Sequence, residues 1–221
     1  MLNELALFKD DLIEQLPLIL AGLGQTLQLT AVITITGLLG GVLVLYLKIN
    51  KNSVIRRMTN AYISFFIGTP LIVMLFIMYY GLPQYGINLS SFTVAVIGFT
   101  LNVSAYNAAY MFTAYRGLDH KELEAAKAQG FTDFQTYRLV TLPQVFRTSV
   151  PALTNQVIGN LKDSSYAFLI GFTDVFARIQ ELASTNFQFF NAYLFAAFVY
   201  LVLVSFIVLA ARALERRMVP L

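Results

Sequence analysis

The sequence predicts an all-α integral membrane protein of about five transmembrane helices. Three observations predict it: charge is scarce, the uncharged stretches are long, and the basic residues fall to one side of them. Of 221 residues, 57% are hydrophobic and 12% charged, whereas soluble domains carry about 25% charged residues. Charge-free runs extend over Gln15–Leu47, Met58–Tyr115 and Leu182–Ala211. No soluble core comfortably hides a run like the second.

A bilayer crossing needs about 20 mostly apolar residues. The first run therefore holds one helix, at about 18–47. It exceeds the hydrocarbon thickness, so part of it tilts or lies outside. The second run is too long for one span and is broken by Gly81-Leu82-Pro83-Gln84-Tyr85-Gly86, a turn-rich segment that interrupts helix. It reads as a hairpin of helices at about 59–80 and 92–114. Further spans fall at about 150–171 and 190–212. Residues 1–16 set Lys9 against Glu4, Asp10, Asp11 and Glu14, unlike the basic opening of a secretory signal. No 20–50-residue period repeats, which weighs against a secondary transporter built from inverted repeats.

Lys and Arg collect in cytoplasmic loops. The connection after the first span holds Lys48, Lys51, Arg56 and Arg57. That after the third holds Arg116, Lys121, Lys127, Arg138 and Arg147, and the C-terminus holds Arg212, Arg216 and Arg217. With the N-terminus outside and the C-terminus inside, these twelve of 15 basic residues share the cytoplasmic face. Lys9 and Arg178 lie opposite, and Lys162 lies within a span. This arrangement puts residues 124–143 of a multi-pass membrane protein in the cytoplasm.

Composition also excludes chemistry. There is no cysteine, hence no disulfide, thiolate metal site or cysteine nucleophile. The single histidine, His120, sits in a polar stretch and is expected on a solvated face. The chain lacks a GxxxxGK[ST] phosphate loop and is not expected to hydrolyse ATP. No metal constellation or paired carboxylates support an enzyme, and a net charge of +3 does not point to nucleic acid.

The cytoplasmic stretch carries the densest local signals. Asp119 followed by Glu122, and Thr132 followed by Gln135, read as two capping boxes. The first predicts a helix over about 120–129, ended by Gly130 as a left-handed residue. The second helix is expected to stop before Pro143, which disfavours helix in the preceding residue. Ala125 and Ala126 thin one face of the first helix. Phe134, Tyr137 and Val140 give the second an apolar stripe fit for a groove. From these signals alone, a connector lying on the membrane surface is an equal alternative.

The full spacing decides for a sharper reading. Glu124-Ala125-Ala126, then Gly130, then Val140-Thr141-Leu142-Pro143 resembles the EAA loop in permease subunits of ATP-binding-cassette importers. The likeness extends to the polar amino-acid uptake family and covers most of residues 22–174. Gly22-Leu23-Gly24-Gln25-Thr26-Leu27-Gln28-Leu29-Thr30 is similar to the opening of that family's first core helix. Gly68-Thr69-Pro70 and the stretch to Pro83 resemble its second helix, and Leu101-Asn102 with Ala105-Tyr106 its third. Leu161-Lys162-Asp163-Ser164-Ser165 resembles its Leu-Lys-Asp-Thr-Ser signature. The chain departs where the family has Arg before Gly-Thr-Pro, since Ile67 stands here. It also has Ala108-Ala109-Tyr110 and Phe112-Thr113-Ala114 where the family has Ala-Glu-Ile and Arg-Gly-Gly. A carboxylate and two guanidinium groups are therefore missing, which bears on the substrate and not on the fold.

The resemblance implies one permease domain over 1–221 in a prokaryotic inner membrane, with a coupling loop at 116–147 inside it. It implies a type I importer in which a separate ATPase dimer binds ATP and Mg and this chain binds no cofactor. Partners are a second permease subunit, as the same chain or a homologue, and an extracytoplasmic solute-binding protein. Glu124, Ala125, Ala126, Gly130, Leu142 and Pro143 become ATPase-coupling residues. An ionised group within a span costs about 2.5–3.5 kcal/mol and so usually faces a cavity. Asp163 is expected to line a pathway for a substrate ammonium group, with Lys162, Asn160, Ser164, Asn102 and Thr69 as further pathway residues. The alternative for Lys162 and Asp163 is subunit packing or snorkelling. Competing functions are a self-contained channel or secondary transporter, a non-transporting scaffold, or a permease for another small polar solute.

Overall fold

The structure, a computed structural model, describes residues 2–218, with the side chains of 7–119 and 121–213. The His120 side chain and those of Arg216 and Arg217 lie outside the described residues. Nine α-helices follow in order, with no strand among the described residues: α1 Leu2–Lys48, α2 Ser53–Gly68, α3 Leu71–Phe76, α4 Ser91–Arg116, α5 His120–Ala128, α6 Asp133–Thr136, α7 Leu142–Asp163, α8 Val175–Asn186 and α9 Phe189–Met218. Leu7–Lys48, Ser91–Arg116 and Phe189–Ala213 are long and apolar enough to cross a membrane, and a bent pair, Ser53–Gly68 with Leu71–Tyr85, makes a fourth crossing if taken as one span.

Four local departures from the expected pattern have physical causes. Helix α1 begins at Leu2, ahead of the expected start near 18, because Glu4-Leu5-Ala6-Leu7 and the following residues are strong helix formers. The expected span at 59–80 is broken, with a 98° bend between its two halves. Thr69 is extended there (φ −98°, ψ 128°), as the residue before a proline prefers to be. Helix does not stop before Pro143. A wide turn over Tyr137–Thr141 links α6 to α7, with the Leu142 N–H donating to the Tyr137 carbonyl five residues back. Such a turn carries the chain past a residue that has no N–H to donate. The expected span at 150–171 falls on α7, which is not among the helices counted above as long and apolar enough to cross, and it closes as a 3₁₀ segment, Ser164–Ile170, ended by Gly171 at φ 81°.

The chain divides into two compact units. The first comprises residues up to Ile33, Ile72–Gly98 and Ile158–Leu209. Its core joins Phe8 and Ile19 of α1, Val175, Ile179, Leu182 and Ala183 of α8, and Ala192 and Ala196 of α9. Asp174 caps α8 by accepting from the Ala177 N–H at 2.8 Å. The Thr26 hydroxyl accepts from the Val175 N–H at 3.0 Å. Gly22 lets the turn approach, since a Cβ there would lie 2.7 Å from the Asp174 carbonyl oxygen.

The second unit comprises Thr34–Leu71, Phe99–Val157 and the chain from Ala210 onward. Here α1 and α4 pack backbone to side chain. A Cβ on Gly37 would lie 2.5 Å from Val103, and one on Gly41 2.6 Å from the Asn107 Cβ. Small residues four apart let helices approach in a medium where hydrophobicity gives no drive. Leu45, Met111, Tyr137, Val145 and Leu153 fill the core beside that seam.

Candidate functional site

The loop between α4 and α7 lies wholly in the second unit. Asp119 caps α5, accepting from the Lys121 N–H at 2.9 Å. The reciprocal half of the expected box is replaced: the Glu122 carboxylate accepts from Gln144 of α7 at 2.6 Å. Helix α5 ends in a closed double turn, with Gly130 N–H to the Lys127 carbonyl at 2.9 Å and Phe131 N–H to the Ala126 carbonyl at 3.2 Å. Gly130 sits at φ 87° with open space around it, so its backbone conformation, and not crowding, demands glycine. The second box forms as expected: Gln135 N–H donates to the Thr132 hydroxyl at 3.2 Å, and Thr132 N–H to the Gln135 side chain at 2.8 Å.

The expected coupling residues separate by exposure. Glu124, Ala125, Gly130 and Pro143 are exposed, Ala126 is buried, and Leu142 is half-buried. Of the apolar stripe, Phe134 stays 54% exposed. Tyr137 turns inward instead. It is 6% exposed, and its hydroxyl donates to the Val42 carbonyl of α1 at 2.6 Å. Its ring lies 5.0 Å from that of Tyr46, and Phe134 meets the same Tyr46 ring edge-on at 6.0 Å. Burial, with Tyr46 beside it, pushes the Tyr137 phenol up to about 12, so it remains a neutral donor. The exposed apolar side chain that accompanies Phe134 is Leu139, 58% exposed. The helical register through the wide turn decides that exchange.

Between this loop and the end of α1 lies a cavity of about 350 Å³, lined by Tyr46, Lys51, Lys127, Asp133, Thr136 and Tyr137 among others. Lys51 and Asp133 pair across it at 2.7 Å, and Lys127 stands 3.6 Å from the other carboxylate oxygen. The hydrogen bond from Lys51 holds the Asp133 carboxyl below its ordinary range.

The pathway candidates divide between the two units. Asn160, Lys162, Asp163 and Ser164 belong to the first unit, and Asn102 and Thr69 to the second. Lys162 is exposed, Asp163 half-buried and Asn160 buried. Ser164 is fully buried and donates to the Leu161 carbonyl at 2.8 Å. Asn102 donates to the Phe66 carbonyl at 2.8 Å, next to the break that ends α2. Carbonyls at a helix end need such partners, so Asn102 braces the bend. Thr69 is half-buried, and its N–H bonds the Phe65 carbonyl at 3.0 Å.

A helix-capped loop beside helices long and apolar enough to cross a membrane suits a membrane transport component. Residues 33–220 match the family of binding-protein-dependent transport system inner membrane components, and the chain belongs to that family. It is 38% identical over 192 residues to "Probable amino-acid ABC transporter permease protein PatM" of Vibrio harveyi, covering 86% of each chain. It is 37% identical over 210 residues to "Probable amino-acid permease protein YxeN" of Bacillus subtilis (strain 168), covering 94% of each. Among solved structures, an amino acid ABC transporter crystallised with histidines superposes with a TM-score of 0.84 at 32% identity, over 93% of this chain and 96% of that one. The inward-facing MetNI methionine ABC transporter shares the fold at a TM-score of 0.76 and 20% identity.

Proposed function

We propose that the chain is the five-span permease subunit of an ATP-driven importer for a polar amino acid, with its N-terminus outside and its C-terminus in the cytoplasm. The observation that carries this reading is the 116–147 loop, two capped helices turning at Gly130, in a chain of this family. Two permease subunits, alike or homologous, enclose the pathway. The exposed side of the loop, with Glu124, Ala125, Phe134 and Pro143, docks on an ATPase whose dimer holds ATP and Mg. Closure of that dimer moves the docked loops and turns the pathway outward, a rigid-body alternation. A solute-binding protein delivers the cargo there. Asp163, half-buried at the end of α7, attracts the substrate ammonium group. Relatives named for amino-acid transport support this substrate class.

The test is purification of the chain with its ATPase and reconstitution in proteoliposomes. Amino-acid uptake should require ATP on the ATPase side. Asp163→Asn should lower uptake while the complex still assembles and hydrolyses ATP, and unchanged uptake kinetics would remove Asp163 from the pathway. A chain that transports with no ATPase bound would favour the self-contained channel or transporter.

A further inference from the structure

We infer that Tyr137 is a positioning residue, a strut that makes the coupling loop and the inner end of α1 move as one piece; the inference rests on the reading of this loop as the ATPase-docking element. The loop continues into α7 through the backbone, which is the obvious route for a displacement. The geometry provides a second route. A cavity of about 350 Å³ lies between the loop and the end of α1, beside the ring contacts of Tyr46 with Tyr137 and Phe134, and among the described residues two polar contacts join the two sides. One is the Tyr137 hydroxyl on the Val42 carbonyl at 2.6 Å, in a setting only 6% exposed. The other is the exposed Lys51–Asp133 pair at 2.7 Å.

The links differ in kind. An exposed ion pair is screened by salt and contributes little rigidity. A buried neutral hydrogen bond is directional and unscreened, and the adjoining ring contact with Tyr46 fixes the Tyr137 ring. The Val42 carbonyl adjoins Gly41, where α1 lies so close to α4 that a Cβ would stand 2.6 Å from Asn107. A push on the loop therefore reaches α1 at the point where α1 cannot slide past α4. Tyr137 touches neither substrate nor nucleotide; it acts by keeping this lever stiff.

Two experiments on the reconstituted complex with its ATPase test the strut. The chain has no native cysteine, so a Lys51→Cys, Asp133→Cys pair can be joined by a short cleavable thiol linker. Cross-linking should leave ATP-driven uptake near the level of the unlinked pair, because the joined parts already travel together. Uptake lost on cross-linking and restored by cleaving the linker would overturn the inference. Tyr137→Phe removes one oxygen and keeps the ring. It should lower solute moved per ATP hydrolysed by roughly fivefold, the size of one neutral hydrogen bond, without lowering the ATPase rate in proportion. An unchanged ratio would also overturn it. If the wild-type chain shows no ATP-dependent uptake, the importer reading fails first, and that result is distinct from either of these.

Discussion

Asp174 shows how much a single side chain can carry. It is fully buried, caps α8 through one carboxylate oxygen, and has no partner on the other. Burial pushes its carboxyl up to about 7, against about 3.9 in an unfolded chain. The folded state then binds the extra proton, so stability should fall as pH rises from about 4 towards 7. Asn keeps an oxygen for the cap and cannot ionise. Asp174→Asn should therefore flatten that slope in detergent-solubilised protein, and thermal unfolding at pH 5 and pH 8 measures it. A wild-type melting temperature equal at both pH values would contradict the assignment. At the same scale, sequence reading placed Gly130, Thr132 and Gln135 correctly, because caps and left-handed turns depend on neighbours within a few residues. It did not foresee that Tyr137 turns inward or that Asn102 braces the end of α2. Their partners, Val42 and Phe66, are 95 and 36 residues away, and no local pattern encodes them.

Elements were legible wherever apolar length alone decides. Helices α4 and α9 begin within a residue or two of expectation. Helix α8 falls where apolar length predicts only an outer connection. Its signal was present in Asp174 as a cap and in Val175, Ile179, Leu182 and Ala183 at helical spacing, but a search for long apolar spans passes over twelve residues. The proline effects were misjudged in opposite directions. Pro70 breaks a span for which the sequence predicts a kink, and Pro143 is carried through a wide turn where the sequence predicts a stop. A proline states that one hydrogen bond is missing, and tertiary packing decides whether the chain bends or widens. The α1–α4 seam gives an element-scale prediction. Gly41→Leu drives a side chain into Asn107 and Met111 and should destabilise by about 1–3 kcal/mol. Gly24→Leu on the same helix meets nothing within 4 Å and should leave thermal unfolding unchanged. Equal losses for the two variants would mean that the seam is not tightly packed.

For the whole molecule, the distribution of charge does more than any side chain. From Gln15 to Leu118 there is no acidic residue, so the first long connection is purely basic and its orientation across the bilayer is strongly biased. A single cysteine introduced at Gln129 should react with an impermeant thiol reagent only from the cytoplasmic face. One at Phe187, which is 79% exposed, should react only from outside. Labelling of the reverse pattern would invert the topology and detach the loop from any ATPase. The transport class was legible from spacing in the loop. The solute was not, because the pathway candidates divide between two units and the carboxylate and guanidinium groups usual in the resembling family are absent here.

The wide turn at Tyr137–Thr141 has a geometric consequence. It stores one extra residue in a single loop of helix, and each residue of an α-helix turns the chain by about 100°. Deleting one amino acid there would turn it into an ordinary α-helical turn and leave the faces of the helix beyond it as they are, whereas the same deletion within the unbroken part of α7 would rotate the residues beyond it by more than a quarter of a circle. The wide turn is thus the one place in this stretch of chain where its length can change by a residue at little structural cost.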